Sequence, residues 1–259
     1  LFLFEQQLIN PDESILRFFN KQTFNYKLFF YPEIKNIIDE AESKSIEKQI
    51  LEITNGDSEL FNKKRKIGEN DNYLCEVIRN DSIDLFVSHI HQTNLSITSQ
   101  IKPSVFETNP FLIGKEPTLI EYATFYGSIQ IFQYLKYNKV PLDPSLWIYA
   151  IHSKNSELIY LLEEYQVTPE DKTYVKCFIE SIKCHHNDIA NYIKDNLMSQ
   201  NISNESNYDI NDNVFHYYNY DFFPDNFFIH HFIENNYLFA VKIILNTEEL
   251  DLNEAIILI

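Results

Sequence analysis

Histidine and cysteine are the residue types in this sequence that could hold a metal ion. Their groupings are Cys177 with Cys184, His185-His186, His230-His231, and His89 with His91. Tetrahedral zinc sites usually pair ligands two to four residues apart. Cys177 and Cys184 are instead seven residues apart, which puts both on one face of a helix and is typical of core residues. His185-His186 falls at a predicted turn, where polar residues are expected anyway. We therefore predict no metal ion and no other cofactor.

Residues for covalent or acid–base catalysis form no recognisable motif. The sequence has neither a Gly-x-Ser-x-Gly elbow nor a Cys/His signature of a nucleophile with its base. Paired carboxylates such as Glu163-Glu164 are typical of a solvated helix face. Glycine-rich phosphate loops are absent, with 4 glycines in 259 residues. We predict that the chain is not an enzyme, has no catalytic residues and takes no small-molecule ligand.

The charge balance indicates which partners are unfavourable. The formal net charge is −17, which repels phosphate backbones and argues against nucleic acid.

No apolar run reaches the roughly 20 residues of a membrane-spanning helix, so we expect no membrane insertion. Three cysteines and no recognisable signal peptide favour a cytoplasmic location. The basic run at 63–66 is interpreted either as a nuclear-import signal or as an exposed loop. Both ends read as cuts through a longer helical protein.

Helical periodicity and loop signals alternate along the chain. Apolar residues between Ile34 and Ile53 recur at helical steps after Pro32. The charged, glycine-containing stretch 56–72 predicts a loop, and so does 93–115, which contains Pro103, Pro110 and Gly114. The stretch 199–213 is almost entirely polar and predicts an insertion that buries little.

Between these loops the sequence repeats itself in three columns. The first column holds the small residues Ala123, Ala150 and Ser181, and its second step along the chain is slightly longer than its first. The second and third columns follow eight and twelve positions later, with the same two unequal steps, and consist of Ile131, Leu158 and Ile189, then Leu135, Leu162 and Ile193. Weaker copies contain Val77 and Leu85 before these columns, and Phe232, Ala240 and Ile244 after them. The pattern predicts pairs of short helices that must stack, because one pair cannot bury its own apolar face.

These residues resemble ankyrin repeats. The first-helix pattern of that family is echoed by 118–127, and its second-helix pattern by 131–135 and 158–162. Glu121 stands where the family has a capping His, and Leu119 where it has Pro. The divergent form, rich in Asn, Tyr and Phe, is similar to the expanded ankyrin-repeat families of protists such as Trichomonas. The resemblance implies an all-α fold, an ankyrin-type helix-turn-helix repeat solenoid with a helical N-terminal region.

The predicted organisation has two parts. Residues 1–72 form the helical N-terminal region, and 73–259 form degenerate ankyrin-like repeats. The copies lie at about 73–102, 116–143, 144–170, 171–198 and 225–259, with the polar insertion at about 199–213. The resemblance implies protein binding through a concave groove lined by first-helix side chains, here Glu121, Tyr122, Phe125, Tyr149 and His152. The open alternative is that Tyr122 and Tyr149 only pack between adjacent first helices.

The predicted function is a non-catalytic scaffold or adaptor that mediates protein–protein interaction. Its partner is expected to carry a basic face, because the chain is acidic. The main alternative is a targeting arm of a longer protein whose enzymatic domain lies outside this sequence, and another is a structural spacer. The aromatic segment 215–223 either fills gaps between repeats, which we favour, or anchors a partner.

Overall fold

The computed structural model describes Phe4, residues 9–21 and 25–198, and five single residues, Asn213, His216, Tyr217, Asn219 and Phe222. Within these residues there are thirteen α-helices, a short π-helical turn at Ile193–Leu197 and no strand. An isolated antiparallel bridge joins Gln100 to Thr118. The predicted all-α class is therefore confirmed for the described part of the chain. None of the described helices is long and apolar enough to cross a bilayer.

Within the described residues, five helices precede the repeated region. They are α1 (Glu13–Asn20), α2 (Tyr26–Phe29), α3 (Tyr31–Ile34), α4 (Glu40–Thr54) and α5 (Ser58–Ile67). Asp12, Asp39 and Asp57 stand immediately before α1, α4 and α5, and each carboxylate accepts a backbone N–H of the first turn. Such caps satisfy donors that a helix start leaves unpaired, which fixes where these helices begin.

The helix predicted between Ile34 and Ile53 exists, but it begins later. Its first residue is Glu40, after the separate short helix α3. Ile46 is buried in a cluster with Leu28 and Tyr31, and Ile50 packs against that cluster. The helix therefore buries only part of the predicted apolar face, because Ala41 and Ile53, which belong to the same periodic set, are exposed.

The prediction of a loop over 56–72 is wrong for most of that stretch, because it contains α5. Gly68, at φ 71°, ends this helix rather than marking a loop. Phe61 and Arg65 are its buried residues. The guanidinium of Arg65 lies over the rings of Phe29 and Phe61, 5.3 and 5.6 Å from their centroids, and pairs with Glu33. The basic run at 63–66 is accordingly helical, and one of its cations is buried.

Eight further helices form four consecutive pairs. These are α6 (Tyr73–Arg79) with α7 (Ile83–Thr93), α8 (Leu119–Tyr126) with α9 (Ile129–Tyr137), α10 (Leu146–Ser153) with α11 (Ser156–Glu164), and α12 (Val175–Lys183) with α13 (Asn187–Tyr192). The turn inside each pair contains one residue with left-handed φ: Asp81 (46°), Gly127 (72°), Lys154 (54°) and His185 (54°). The last three are separated by the same two unequal steps as the members of each sequence column.

The three sequence columns are buried without exception. Ala123, Ala150 and Ser181 are each 0% exposed, and each lies in the first helix of its pair. Of the other column residues, Ile189 at 7% is the most exposed, and the rest are 0% exposed. The earlier copy departs from this pattern, because Leu85 is 52% exposed while the next residue, Phe86, is fully buried.

Two compact units divide the chain. Unit 1 comprises Leu1–Ala123 with Gln130–Val140, and unit 2 comprises Thr124–Ile129 with Pro141–Ile259. In unit 2, α10 packs against both α11 and α12, and α12 packs against α13. Trp147 of α10 is fully buried, and its indole N–H donates to the carbonyl of Val167 at 2.7 Å. The boundary predicted at residue 72 stays a prediction.

Several sequence predictions fall on residues outside the described part. These are the polar insertion at 199–213, apart from Asn213, and the last repeat copy at 225–259. Of the aromatic segment 215–223, His216, Tyr217, Asn219 and Phe222 are described. Asn219 is 2% exposed, and its side-chain amide donates to the carbonyl of Ile182 at 3.0 Å. The choice between core and interface for this segment stays open.

Candidate functional site

Glu121 is the first of the five residues predicted to line a binding groove, and it lies in unit 1. Its carboxylate accepts hydrogen bonds from the backbone N–H and the hydroxyl of Thr118, at 2.8 and 2.9 Å. The Thr118 hydroxyl oxygen in turn accepts from the N–H of Glu121 at 3.4 Å. This reciprocal arrangement is a capping box. Glu121 is half-buried, and its carboxylate caps the N-terminus of α8.

Tyr122, also in unit 1, is 1% exposed. Its hydroxyl is 2.9 Å from Nη1 of Arg79, and the Nε of Arg79 is 2.9 Å from a carboxylate oxygen of Glu69. Since an arginine can only donate, the tyrosine oxygen accepts this hydrogen bond. Tyr122 is therefore a packed residue with a satisfied polar end, which a partner protein does not reach in this conformation.

Phe125, Tyr149 and His152 lie in unit 2. Phe125 and Tyr149 are each 7% exposed, and His152 is half-buried. The rings of Phe125 and His152 stack with their centroids 5.4 Å apart and their planes 27° apart. The burial of both tyrosines, Tyr122 and Tyr149, favours the packing alternative over direct contact with a partner. The groove itself stays a prediction.

His152 also contacts two side chains of the next helix pair. Its Nε2 is 2.9 Å from Oε1 of Glu180, which lies in α12. The sulfur of Cys184, directly after α12, is 3.6 Å from Nδ1 and 3.9 Å from Nε2 of the same imidazole. Among the described residues, these three form the one group of metal-ligating side chains whose donor atoms all lie within 4.8 Å of one another.

Helix geometry explains how the cluster is positioned. Glu180 and Cys184 are four residues apart, so Cys184, which follows α12 with helical φ and ψ, continues the helix face on which Glu180 lies. That face meets the end of α10, because α10 and α12 pack together, and His152 is the second-last residue of α10. The side chains of His152 and Glu180 are 15% and 20% exposed, so the cluster is largely but not fully shielded from water.

The electrostatic environment lowers the pKa of the Glu180 carboxyl and raises the pKa of the Cys184 thiol. The hydrogen bond from His152 is the main reason that the pKa of Glu180 lies below its usual value, and it outweighs the opposing effect of burial. Burial, with the nearby charge of Glu180, raises the pKa of the Cys184 thiol to about 12. Glu180 is thus a carboxylate at neutral pH, and since a carboxylate can only accept, Nε2 of His152 carries the proton between them.

Two kinds of chemistry could use a cysteine, a histidine and a glutamate in this arrangement. A cysteine nucleophile must be ionised at working pH, usually with a pKa lowered well below about 8.5 by its neighbours. The environment of Cys184 does the opposite. A metal ligand must also be a thiolate, but the ion can displace the thiol proton as it binds, so the free site need not be ionised beforehand. The cluster therefore fits a cation better than a covalent intermediate.

The residues that sequence reasoning weighed for a metal site are mostly elsewhere. Cys177 is fully buried, and burial raises the pKa of its thiol to about 12. His186 donates from Nδ1 to the carbonyl of Ile151 at 2.7 Å, and His185 occupies the left-handed turn position. Of the described residues weighed for a metal site, only Cys184 belongs to the cluster, and His230-His231 lie outside the described part of the chain. The missed signal is Glu180-x-x-x-Cys184 combined with a histidine nearly one repeat earlier in the sequence.

A cleft of about 510 Å³ lies in unit 1. Tyr26, Phe29, Phe30, Arg65 and Lys66 contribute to its lining. The charge of Arg65 is already matched by Glu33, and its Nη1 donates to Asn62 at 3.0 Å. The buried cation of this cleft, Arg65, is therefore already neutralised by a carboxylate of the same unit, Glu33.

Solvent-exposed aromatic and acidic side chains share one face of α11. Tyr160 is 64% exposed, and Glu157 and Glu164 are exposed as well. These three residues are spaced i, i+3 and i+7, which places them on one stripe of the helix. The opposite face carries the buried Leu158 and Leu162. We name Glu157, Tyr160 and Glu164 the acidic stripe.

Comparison with known proteins assigns no relative to this chain. No family model, no curated protein and no solved structure matches it.

Proposed function

We propose that this chain is a non-catalytic scaffold of stacked, ankyrin-like helical repeats that binds other proteins. The observation that carries the proposal is one repeated register. The left-handed turn residues Gly127, Lys154 and His185 recur at the same two unequal steps as the three buried columns. The left-handed turn residues and the buried column residues thus follow the same two unequal spacings along the chain.

Such a register supports a stacked arrangement on physical grounds. A pair of short helices buries too little apolar surface to be stable alone, so neighbouring pairs must cover one another. In unit 2 this covering is direct, because the first helix of one pair, α10, packs against the first helix of the next, α12. The small residues Ala150 and Ser181, both fully buried, let these two helices approach closely.

Repeat scaffolds typically bind partners through extended surfaces rather than closed pockets. The acidic stripe is an exposed surface of unit 2 whose residue types suit a protein partner. Tyrosine is enriched at the energetically important centres of interfaces, and here it is flanked by two carboxylates. With a formal net charge of −17, the chain favours a partner with a basic face. Association should weaken as salt screens these charges.

The test is affinity capture from a cell lysate at low and at high salt. The purified wild type is compared with a triple variant of the acidic stripe, Glu157→Lys/Tyr160→Ala/Glu164→Lys. We expect the wild type to retain a specific basic protein that salt releases, and the variant to lose it. All three residues are exposed, so circular dichroism and urea unfolding should show that the variant remains folded.

A matched control separates the stripe from net charge. Glu52→Lys/Glu76→Lys makes the same change in charge at exposed positions of α4 and α6. This control should retain the partner nearly as well as wild type. If nothing specific is retained by wild type, or if control and stripe variants lose the partner equally, the proposed binding function of the stripe is wrong.

A further inference from the structure

We propose that His152, Glu180 and Cys184 bind a single Zn²⁺ ion that links α10 to α12. The ligand atoms are Nε2 of His152, Oε1 of Glu180 and Sγ of Cys184. They are supplied by two successive helix pairs of unit 2. This proposal is independent of the scaffold function, because it concerns an ion held inside the unit and not a partner on its surface.

The distances between the ligand atoms are close to those around a tetrahedral zinc ion. With Zn–S of about 2.3 Å and Zn–N of about 2.0 Å, a tetrahedral ion holds its sulfur and nitrogen about 3.5 Å apart, and its nitrogen and oxygen about 3.3 Å apart. Without an ion, Sγ and Nε2 are 3.9 Å apart, and Nε2 and Oε1 are 2.9 Å apart. All three ligand atoms lie within 4.8 Å of one another, and side-chain rotations that shorten the first of these distances and lengthen the second bring both to the spacing of a zinc site.

The types of the ligands select the ion. A thiolate and an imidazole favour borderline-soft metals such as zinc over calcium or magnesium, which prefer oxygen. A thiolate and a carboxylate together neutralise the two positive charges of the ion. Three protein ligands leave the fourth position of the tetrahedron for water, which the partial exposure of His152 and Glu180 permits.

The protons balance as follows when Zn²⁺ binds. The Cys184 S–H bond breaks, an S–Zn bond forms, and that proton leaves to solvent. The imidazole proton between Nε2 of His152 and Oε1 of Glu180 moves to Nδ1, so the ring stays neutral. One proton is released per ion, and no oxidant or reductant takes part.

Two neighbouring side chains contact the ligands of the ion. Lys183 approaches the other carboxylate oxygen, Oε2 of Glu180, at 3.6 Å, and leaves Oε1 for the ion. The ring of Phe125 stacks on the imidazole of His152 and holds its plane. These contacts orient the ligands before the ion arrives, which reduces the entropy lost on binding.

The experiment uses the full chain, freed of metal with a chelator and titrated with Co²⁺, which replaces Zn²⁺ and reports its ligands by absorbance. The expected result is one equivalent of Co²⁺, with a thiolate-to-cobalt charge-transfer band. Cys184→Ser should abolish that band. Glu180→Gln should weaken binding at least tenfold, since one of three ligands is lost. Both variants are nearly isosteric with the residues they replace.

The control is Cys75→Ala, which removes a buried cysteine of unit 1 and should leave the titration unchanged. Independently of absorbance, Zn²⁺ should raise the thermal unfolding midpoint of wild type and of this control, but not that of Cys184→Ser. The proposal is overturned if wild type binds no Co²⁺. It is equally overturned if the band persists in Cys184→Ser, which would locate the ion elsewhere.

Discussion

A carboxylate oxygen of Asp81 accepts a hydrogen bond from the backbone N–H of Ile131 at 3.0 Å. The other oxygen accepts from the N–H of Gln130, also at 3.0 Å. Asp81 lies in the turn between α6 and α7, whereas both donors lie in the first turn of α9. The turn of one helix pair thus caps the second helix of the next pair, so the first pair supplies part of its neighbour's local structure.

We therefore expect Asp81→Ala to lower the free energy of unfolding by about 1–2 kcal/mol. The loss combines the missing cap with the cost of placing alanine at a left-handed φ. Urea unfolding followed by circular dichroism measures it. Asp81→Asn keeps one acceptor oxygen and tolerates the left-handed conformation, so it should cost less. Equal losses in the two variants would contradict the capping role.

The buried columns predict a sharp contrast between two residues of one helix. Leu162 of α11 is fully buried, while Tyr160 is 64% exposed. Leu162→Ala should lower the free energy of unfolding by about 2–5 kcal/mol, because it removes transfer energy and leaves a cavity. Tyr160→Ala should change it by less than about 0.5 kcal/mol. Similar effects from both substitutions would show that the column does not form the core.

Asp71 predicts a dependence of stability on pH. Burial alone would raise its pKa, but hydrogen bonds from Lys64 and Ser104, both at 2.7 Å, outweigh burial and hold the pKa below its usual value. A carboxyl group with a lowered folded-state pKa stabilises the fold above its unfolded pKa, and this contribution is lost as pH falls through the folded value. The pKa of an aspartate in an unfolded chain is about 3.9.

Asp71→Asn should accordingly reduce the free energy of unfolding by about 1 kcal/mol at pH 7. The difference from wild type should begin to shrink near about pH 4, where the unfolded-state carboxyl takes up its proton, and should vanish below the lowered folded-state pKa, where the folded carboxyl is protonated too. Urea unfolding at a series of pH values measures this. Glu52→Gln, at an exposed position, is the control and should show little difference at any pH. A pH-independent difference for Asp71→Asn would mean that packing, not charge, is lost.

The thiols predict slow chemical labelling. Burial is the main cause that raises the pKa of Cys75 to about 11 and the pKa values of Cys177 and Cys184 to about 12. At pH 8 a thiol of pKa about 12 is ionised in only about one molecule in 10⁴, and the thiolate is the reactive form.

Iodoacetamide should therefore alkylate all three cysteines at least about 100-fold more slowly in the folded chain than in urea. Mass spectrometry of digested samples measures each rate, and a chelator excludes protection by metal. Rapid labelling of Cys184 alone would indicate an activated thiol and would favour a nucleophile over a metal ligand.

The helix pairs were predictable because their signal is local and repeated. Ala150 and Leu162 stand at fixed offsets in each copy, and only buried positions are constrained in this way. Helix α5 was not predictable from the same reasoning. Most of its residues are polar or charged, and its buried residues, Phe61 and Arg65, do not form an apolar periodic pattern. A buried arginine is uncommon, and its burial depends on aromatic rings and a carboxylate, part of which lie far away in sequence.

The candidate site was harder to predict for a related reason. Cys184 and Glu180 come from one helix pair, and His152 comes from the preceding one. Spacing rules for metal sites search within short segments, whereas this cluster depends on how α10 and α12 pack. The burial of Tyr122 and Tyr149 is equally a result of packing, since periodicity indicates a face but not what covers it.

The contacts that hold unit 2 together join residues that are near in sequence. Trp147 reaches Val167, His152 reaches Glu180, and His186 reaches Ile151, separations of 20, 28 and 35 residues. Closing such short loops costs little entropy, and chains dominated by contacts of this range fold quickly. In the proposed stack, folding of unit 2 would therefore begin where two successive helix pairs first pack together, and would continue by adding the next pair.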